Sequence, residues 1–139
     1  MKMTNKYFMK YIFLIALLTI STAILAQDEK SDLKITYVEG QGYYLNVYDL
    51  SPEMMQFMNE RGLLGGGPSW VVLLETALKA ESPSTLKLVE LDDESDDVQV
   101  RSKSKDSIIY VQKIARRLMT ERTYLIKYIE LAKKSGHLE

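Results

Sequence analysis

The sequence predicts a small α+β domain with element order ββααββαα, an antiparallel sheet of four short strands with helices packed on one face. Three observations carry this reading. Two pairs of short strand-like segments are each broken by turn residues, and helical apolar periodicity follows each pair. The chain of 139 residues, once a leader is set aside, is long enough for one domain and too short for two.

The leader occupies residues 1–26 and reads as a secretory signal peptide. Lys2, Lys6 and Lys10 form a positive start, the run Tyr11 to Leu18 is apolar, and Ala23-Ile24-Leu25-Ala26 precedes the polar Gln27-Asp28-Glu29-Lys30. Cleavage is placed after Ala26; Ser21-Thr22-Ala23 offers an alternative small-x-small site. An uncleaved anchor is the competing reading, but the apolar run falls short of the roughly 20 residues a spanning helix needs. The expected location is therefore periplasmic or secreted, with no stable membrane anchor after cleavage. Removing the three lysines takes the net charge from −1 to −4. That balance argues against nucleic acid and anionic membrane as partners and permits a basic protein partner. The chain holds no cysteine, so the exported domain must stand on its core without disulfides.

Residues 27–32 are a polar tail, and the domain is assigned to 33–139. Leu33, Ile35 and Tyr37 alternate with Lys34, Thr36 and Val38 as a half-buried strand. Glu39-Gly40-Gln41-Gly42 turns the chain, and Tyr43 to Tyr48 returns it. Tyr43, Leu45 and Val47 share one face of that strand; Tyr44, Asn46 and Tyr48 share the other. Ser51 is a good N-cap, Pro52 suits the first helical position, and Leu50 is placed to staple onto Met55. This helix should stop near Arg61, with Gly62 as its left-handed residue. Met54, Met55 and Met58 read as core filler.

Leu63 to Pro68 is a glycine-rich link, after which Ser69 is expected to cap a second helix. Trp70, Leu73, Leu74, Ala77 and Leu78 follow helical spacing, Val71 and Val72 widen the stripe, and Pro83 closes it. Thr85 to Leu91 and Asp97 to Arg101 read as a second hairpin joined by the acidic stretch Asp92 to Asp96. From Ser104 to about Lys134 the pattern is helical, and Gly136 ends it. One helix of that length would run about 45 Å, longer than such a domain is wide, so a break is expected near Thr120, which can cap a final helix carrying Tyr124, Leu125, Tyr128, Ile129 and Ala132.

Candidate chemistry is sparse. The sole histidine, His137, lies past the last helix, where nothing holds a base in position. Ser-His, Cys-His and histidine-based zinc sites lack their parts. Asp92, Glu94 and Asp96 alternate as in the first half of a calcium loop, but Asp97 stands where that loop needs glycine and Lys103 where it needs glutamate. No metal or cofactor is implied. Gly65-Gly66-Gly67 lacks the Lys-Ser/Thr of a phosphate loop, and Pro68 offers no N–H, so the run reads as a flexible or tightly turned connection. What remains is a surface: Asp92, Asp93, Glu94, Asp96 and Asp97 offer charge to a cationic partner. Tyr44 and Tyr48 offer rigid aromatic contacts if their strand face is open.

The stretch Gly62-Leu63-Leu64-Gly65-Gly66-Gly67-Pro68-Ser69-Trp70 follows a helix holding Phe57. Further on come Leu91-Asp92-Asp93-Glu94-Ser95 and Ser102-Lys103-Ser104-Lys105-Asp106. This series resembles the immunity protein 51 family, small α+β proteins encoded beside polymorphic toxins. The resemblance spans roughly Tyr43 to Lys134 and is carried by Gly62, Gly65, Gly67, Trp70, Glu94 and Ser95; Pro68 and the signal peptide depart from the pattern. It implies an exported protein that binds and neutralises a cognate toxin domain stoichiometrically, without catalysis. The alternative is a small envelope carbohydrate- or cell-wall-binding protein, or a hydrolase, using the acidic loop. Glycosidase chemistry needs two carboxyl groups at a fixed separation, which adjacent acids at a hairpin tip seldom provide.

Overall fold

A computed structural model describes residues 33–137; the signal peptide and polar tail assigned to residues 1–32 lie outside the described residues. The elements are β1 (Ile35–Val38), β2 (Gly42–Val47), α1 (Pro52–Asn59), α2 (Gly67–Glu81), a single turn α3 (Pro83–Leu86), β3 (Glu90–Asp93), β4 (Val98–Ser102), α4 (Lys105–Thr120) and α5 (Arg122–Lys134). The fold is the α+β one that the sequence predicts. Four antiparallel strands lie in the order β1-β2-β4-β3.

Register explains the two faces. Ile35, Leu45, Val100 and Leu91 stand side by side across the sheet and point into the core, as do Val47 and Val98. The period of two then sends Thr36, Tyr44, Arg101 and Glu90 to the other face, with Asn46, Gln99 and Asp92 one row along. Helices α2 and α4 cover the apolar face, and α5 packs behind them on both. The core closes around Trp70, Leu73, Leu74, Leu118, Leu125 and Tyr128, all without solvent exposure. No helix among the described residues is long and apolar enough to cross a membrane.

Several boundaries differ from expectation. Helix α1 ends at Asn59, two residues early. Gly62 then takes a φ of 78°, and the Leu63 N–H bonds back to the Met58 carbonyl, so the stop itself is the expected left-handed one. Leu50 makes no staple of consequence, being 47% exposed. The entry is fixed instead by the Asp49 carboxylate, which accepts from the Ser51 N–H, while the Ser51 hydroxyl caps Met54. Met54 and Met58 are buried, with Met55 partly covered.

Two larger corrections follow from local chemistry. Thr85 is not the start of a strand: Pro83, which closes α2 as expected just after its end at Glu81, also opens the one-turn helix α3, its fixed φ suiting the first helical position behind Ser82. The strand begins only at Glu90, so Asp92 and Asp93 lie in β3 and not in the loop. Ser69 is not the cap of α2 either. The helix starts at Gly67 with Gly66 as its cap, and the Ser69 hydroxyl accepts the N–H of Gly65.

The break near Thr120 stands as expected. Glu121, in an extended conformation, separates α4 from α5, and Thr120 ends α4 with its hydroxyl donating to the Arg116 carbonyl rather than capping α5. The turn packs on its neighbours through charge. Arg122 and Arg61 both lie against the Phe57 ring, 3.9 and 3.5 Å from its centroid, tying α5 to α1. Where α2, α4 and α5 meet, the Tyr128 hydroxyl donates to Glu81 at 2.6 Å and Arg117 stands 3.8 Å from the same carboxylate.

Partial burial pushes the Glu81 carboxyl up, but the hydroxyls of Tyr128 and Tyr124 and the charges of Arg117 and Lys127 outweigh it, and the net shift is downward. A carboxyl that binds its proton more weakly folded than unfolded adds stability above the ordinary value of 4.5 and loses it as the pH falls through the lowered one. Glu81→Gln is therefore expected to flatten the acid limb of a plot of urea midpoint against pH. A limb as steep as that of the parent protein would remove Glu81 from the joint.

Candidate functional site

The acidic turn is mounted on a rigid frame. Strands β3 and β4 converge at Glu94 to Asp97, where the Glu94 N–H bonds to the Asp97 carbonyl at 3.0 Å. The start of α2 presses on this turn from beneath. A Cβ on Gly67 would overlap the Glu94 carbonyl oxygen and come within 2.5 Å of that of Asp97; one on Gly66 would meet the Ser95 carbonyl at 2.7 Å. The Gly67 N–H also bonds to the Ser95 carbonyl at 3.3 Å. The glycine run is thus tightly turned, and it needs glycine for close approach more than for freedom.

Backbone carbonyls face the helix and carboxylates face out. Asp92, Asp93, Glu94 and Asp96 are exposed and Asp97 is half-buried. They are not equivalent. Asp92 reaches across the open sheet face to Arg101 at 3.0 Å, with Glu90 3.6 Å from the same guanidinium. The charge of Asp92 is therefore largely answered within the sheet, whereas Asp93, Glu94, Asp96 and Asp97 form no ion pair among the described residues.

The tyrosines stand as the strand alternation requires. Tyr48 is 45% exposed just beyond β2, and Tyr44 is half-buried, its hydroxyl donating to Gln41 at 2.7 Å. Both lie on the face that the helices leave open. Val47 pairs with Val98, so Tyr48 and the acidic turn sit at the same end of the sheet. Tyr44 is four residues back along the chain, about 13 Å away, and belongs with Arg101 rather than with the turn. The structure thus unites Tyr48 with the acidic turn and separates Tyr44 from it.

Among the motif residues, Gly62 stops α1, Gly65 sits over Met55 and Met58, Gly67 abuts the acidic turn, and Trp70 is fully buried one turn into α2. The glycine and Glu-Ser stretches, distant in sequence, are in backbone contact. Sequence reading missed Leu64, 80% exposed in the link three residues before Gly67. Its signal was present: a large apolar residue among glycines, belonging to no helical or strand period. His137 is exposed beyond α5, its ring nitrogen 2.8 Å from the Ser135 hydroxyl. Among the described residues no three His, Cys, Asp or Glu side chains are grouped to hold a metal ion. Comparison with known proteins gives no match, whether to protein-family models, to curated proteins or to solved structures.

Proposed function

We propose that the protein is an exported immunity-type protein that neutralises a cognate toxin domain by stoichiometric binding, without catalysis. The observation that carries this reading is the acidic end of the β3–β4 hairpin: four carboxylates without an ion pair among the described residues, Asp93 at the end of β3 and Glu94, Asp96 and Asp97 on a turn braced against α2, with Tyr48 at the same sheet end. Such an arrangement suits recognition. Fixed charges steer a cationic surface into place, and the exposed Tyr48, with Leu64 exposed in the link that leads to Gly67, supplies area to be buried on contact. A periplasmic or secreted location follows from the leader, and the resemblance to immunity protein 51 supplies the nature of the partner.

Co-purification from the producing cell is the direct experiment, with the captured partner then expressed in cells lacking this protein. Killing of those cells, reversed by restoring it, is the expected result. Changing Asp93, Glu94, Asp96 and Asp97 together to their amides should slow association about tenfold at low salt and flatten its salt dependence, with circular dichroism unchanged. Association kinetics that ignore the four substitutions would take the turn out of the mechanism.

A further inference from the structure

The open sheet face holds a second surface, opposite in sign to the acidic turn. Two adjoining depressions of about 530 and 300 Å³ share Tyr44. Among the charged residues lining them, four are cationic, Lys34, Lys87, Arg101 and Lys103, and only Glu90 is acidic. Arg101 is already answered by Glu90 and Asp92. Lys34 and Lys87 form no ion pair among the described residues, and Lys103 donates only to the neutral Gly40 carbonyl, at 2.7 Å. Three positive charges therefore stand on one face without an acidic partner among the described residues, in a chain whose net charge is −1.

We infer that this face docks a short acidic segment of a partner protein, laid across β2 beside Tyr44. Charge selects an anion. Length selects among anions: the acidic turn begins where β4 does, four residues from Ser102, so the cationic strip is only about 13 Å long. A polyphosphate backbone continuing past it would meet Asp92 and the turn, whereas a few clustered carboxylates end within it. The sheet edge favours polypeptide as well. Strand β1 has no strand on its outer side among the described residues, so its outer N–H and C=O groups are offered to an extended chain passing Lys34.

The two surfaces share Tyr48, which lines the smaller depression, so the test separates them by changing only the lysines or only the carboxylates. The probe is a fluorescently labelled tetraglutamate peptide, about 13 Å when extended, titrated into the purified protein at low salt and followed by anisotropy, beside tetralysine and a thymidine octanucleotide. Tetraglutamate should bind. Lys34→Gln, Lys87→Gln and Lys103→Gln combined should weaken it about tenfold, and the three arginine replacements should retain it. Amidation of the acidic turn should leave tetraglutamate binding intact or strengthen it. Absence of tetraglutamate binding, equal binding by the glutamine variant, or preference for the oligonucleotide would each overturn the proposal.

Discussion

Gly67→Ala is expected to lower the free energy of unfolding by about 3 kcal/mol, the cost of forcing extra volume against backbone that cannot yield cheaply. The added Cβ meets two carbonyl oxygens, those of Glu94 and Asp97, and neither is the tip of a flexible side chain. Either the β3–β4 turn lifts from α2, breaking the bond from the Gly67 N–H to Ser95, or the helix start unwinds. Gly62→Ala is the informative comparison. Its Cβ would enter open space, so only the left-handed φ of 78° is penalised, at about 1 kcal/mol. Urea denaturation of both variants reads the difference, and the melting temperature of Gly67→Ala should fall by roughly 10 °C or more. Because the turn carries the carboxylates, this variant should also associate with its partner more slowly at temperatures where it remains folded. Equal losses from the two substitutions would mean that the turn is not braced by α2.

The fold was largely legible because its signals are local. The stripe Trp70, Leu73, Leu74, Ala77, Leu78 declares α2 by spacing alone. The length of the helical stretch after Ser104 demands the break that Glu121 supplies. Thr85 to Leu91 misled because its apolar residues do not settle its conformation. Ser82-Pro83 turns the first part into a helical turn, Leu88 is left 58% exposed, and pairing of Leu91 with Val100 decides where the strand starts. That last decision is made across the sheet and is not written in the segment itself. The binding surfaces divide in the same way. The acidic turn is a run in sequence and was visible at once. The bracing by Gly66 and Gly67 was invisible, since it joins segments that only the packing of α2 on β3 brings together. Lys34, Lys87 and Lys103 are likewise scattered along the chain, and the strand order β1-β2-β4-β3 gathers them.

Trp70→Ala is expected to cost about 4 kcal/mol, as for other large aromatic side chains emptied from a core. Trp70 is fully buried in the first turns of α2, its backbone N–H bonded to the Gly66 carbonyl at 3.2 Å, so the cavity would open in the core under the start of that helix. Trp70→Phe should behave very differently. The indole Nε1 has no hydrogen-bond partner among the described residues, although it is shielded from solvent. A donor buried without a partner costs on the order of 1–3 kcal/mol, and phenylalanine removes it. That gain offsets most of the volume lost from the larger ring, leaving a net cost of about 1 kcal/mol. Calorimetric or urea unfolding of the two variants separates the contributions: alanine reports the packing of the ring, and phenylalanine reports the polar atom it carries. A phenylalanine variant as unstable as the alanine one would show that the indole N–H is satisfied in the folded protein.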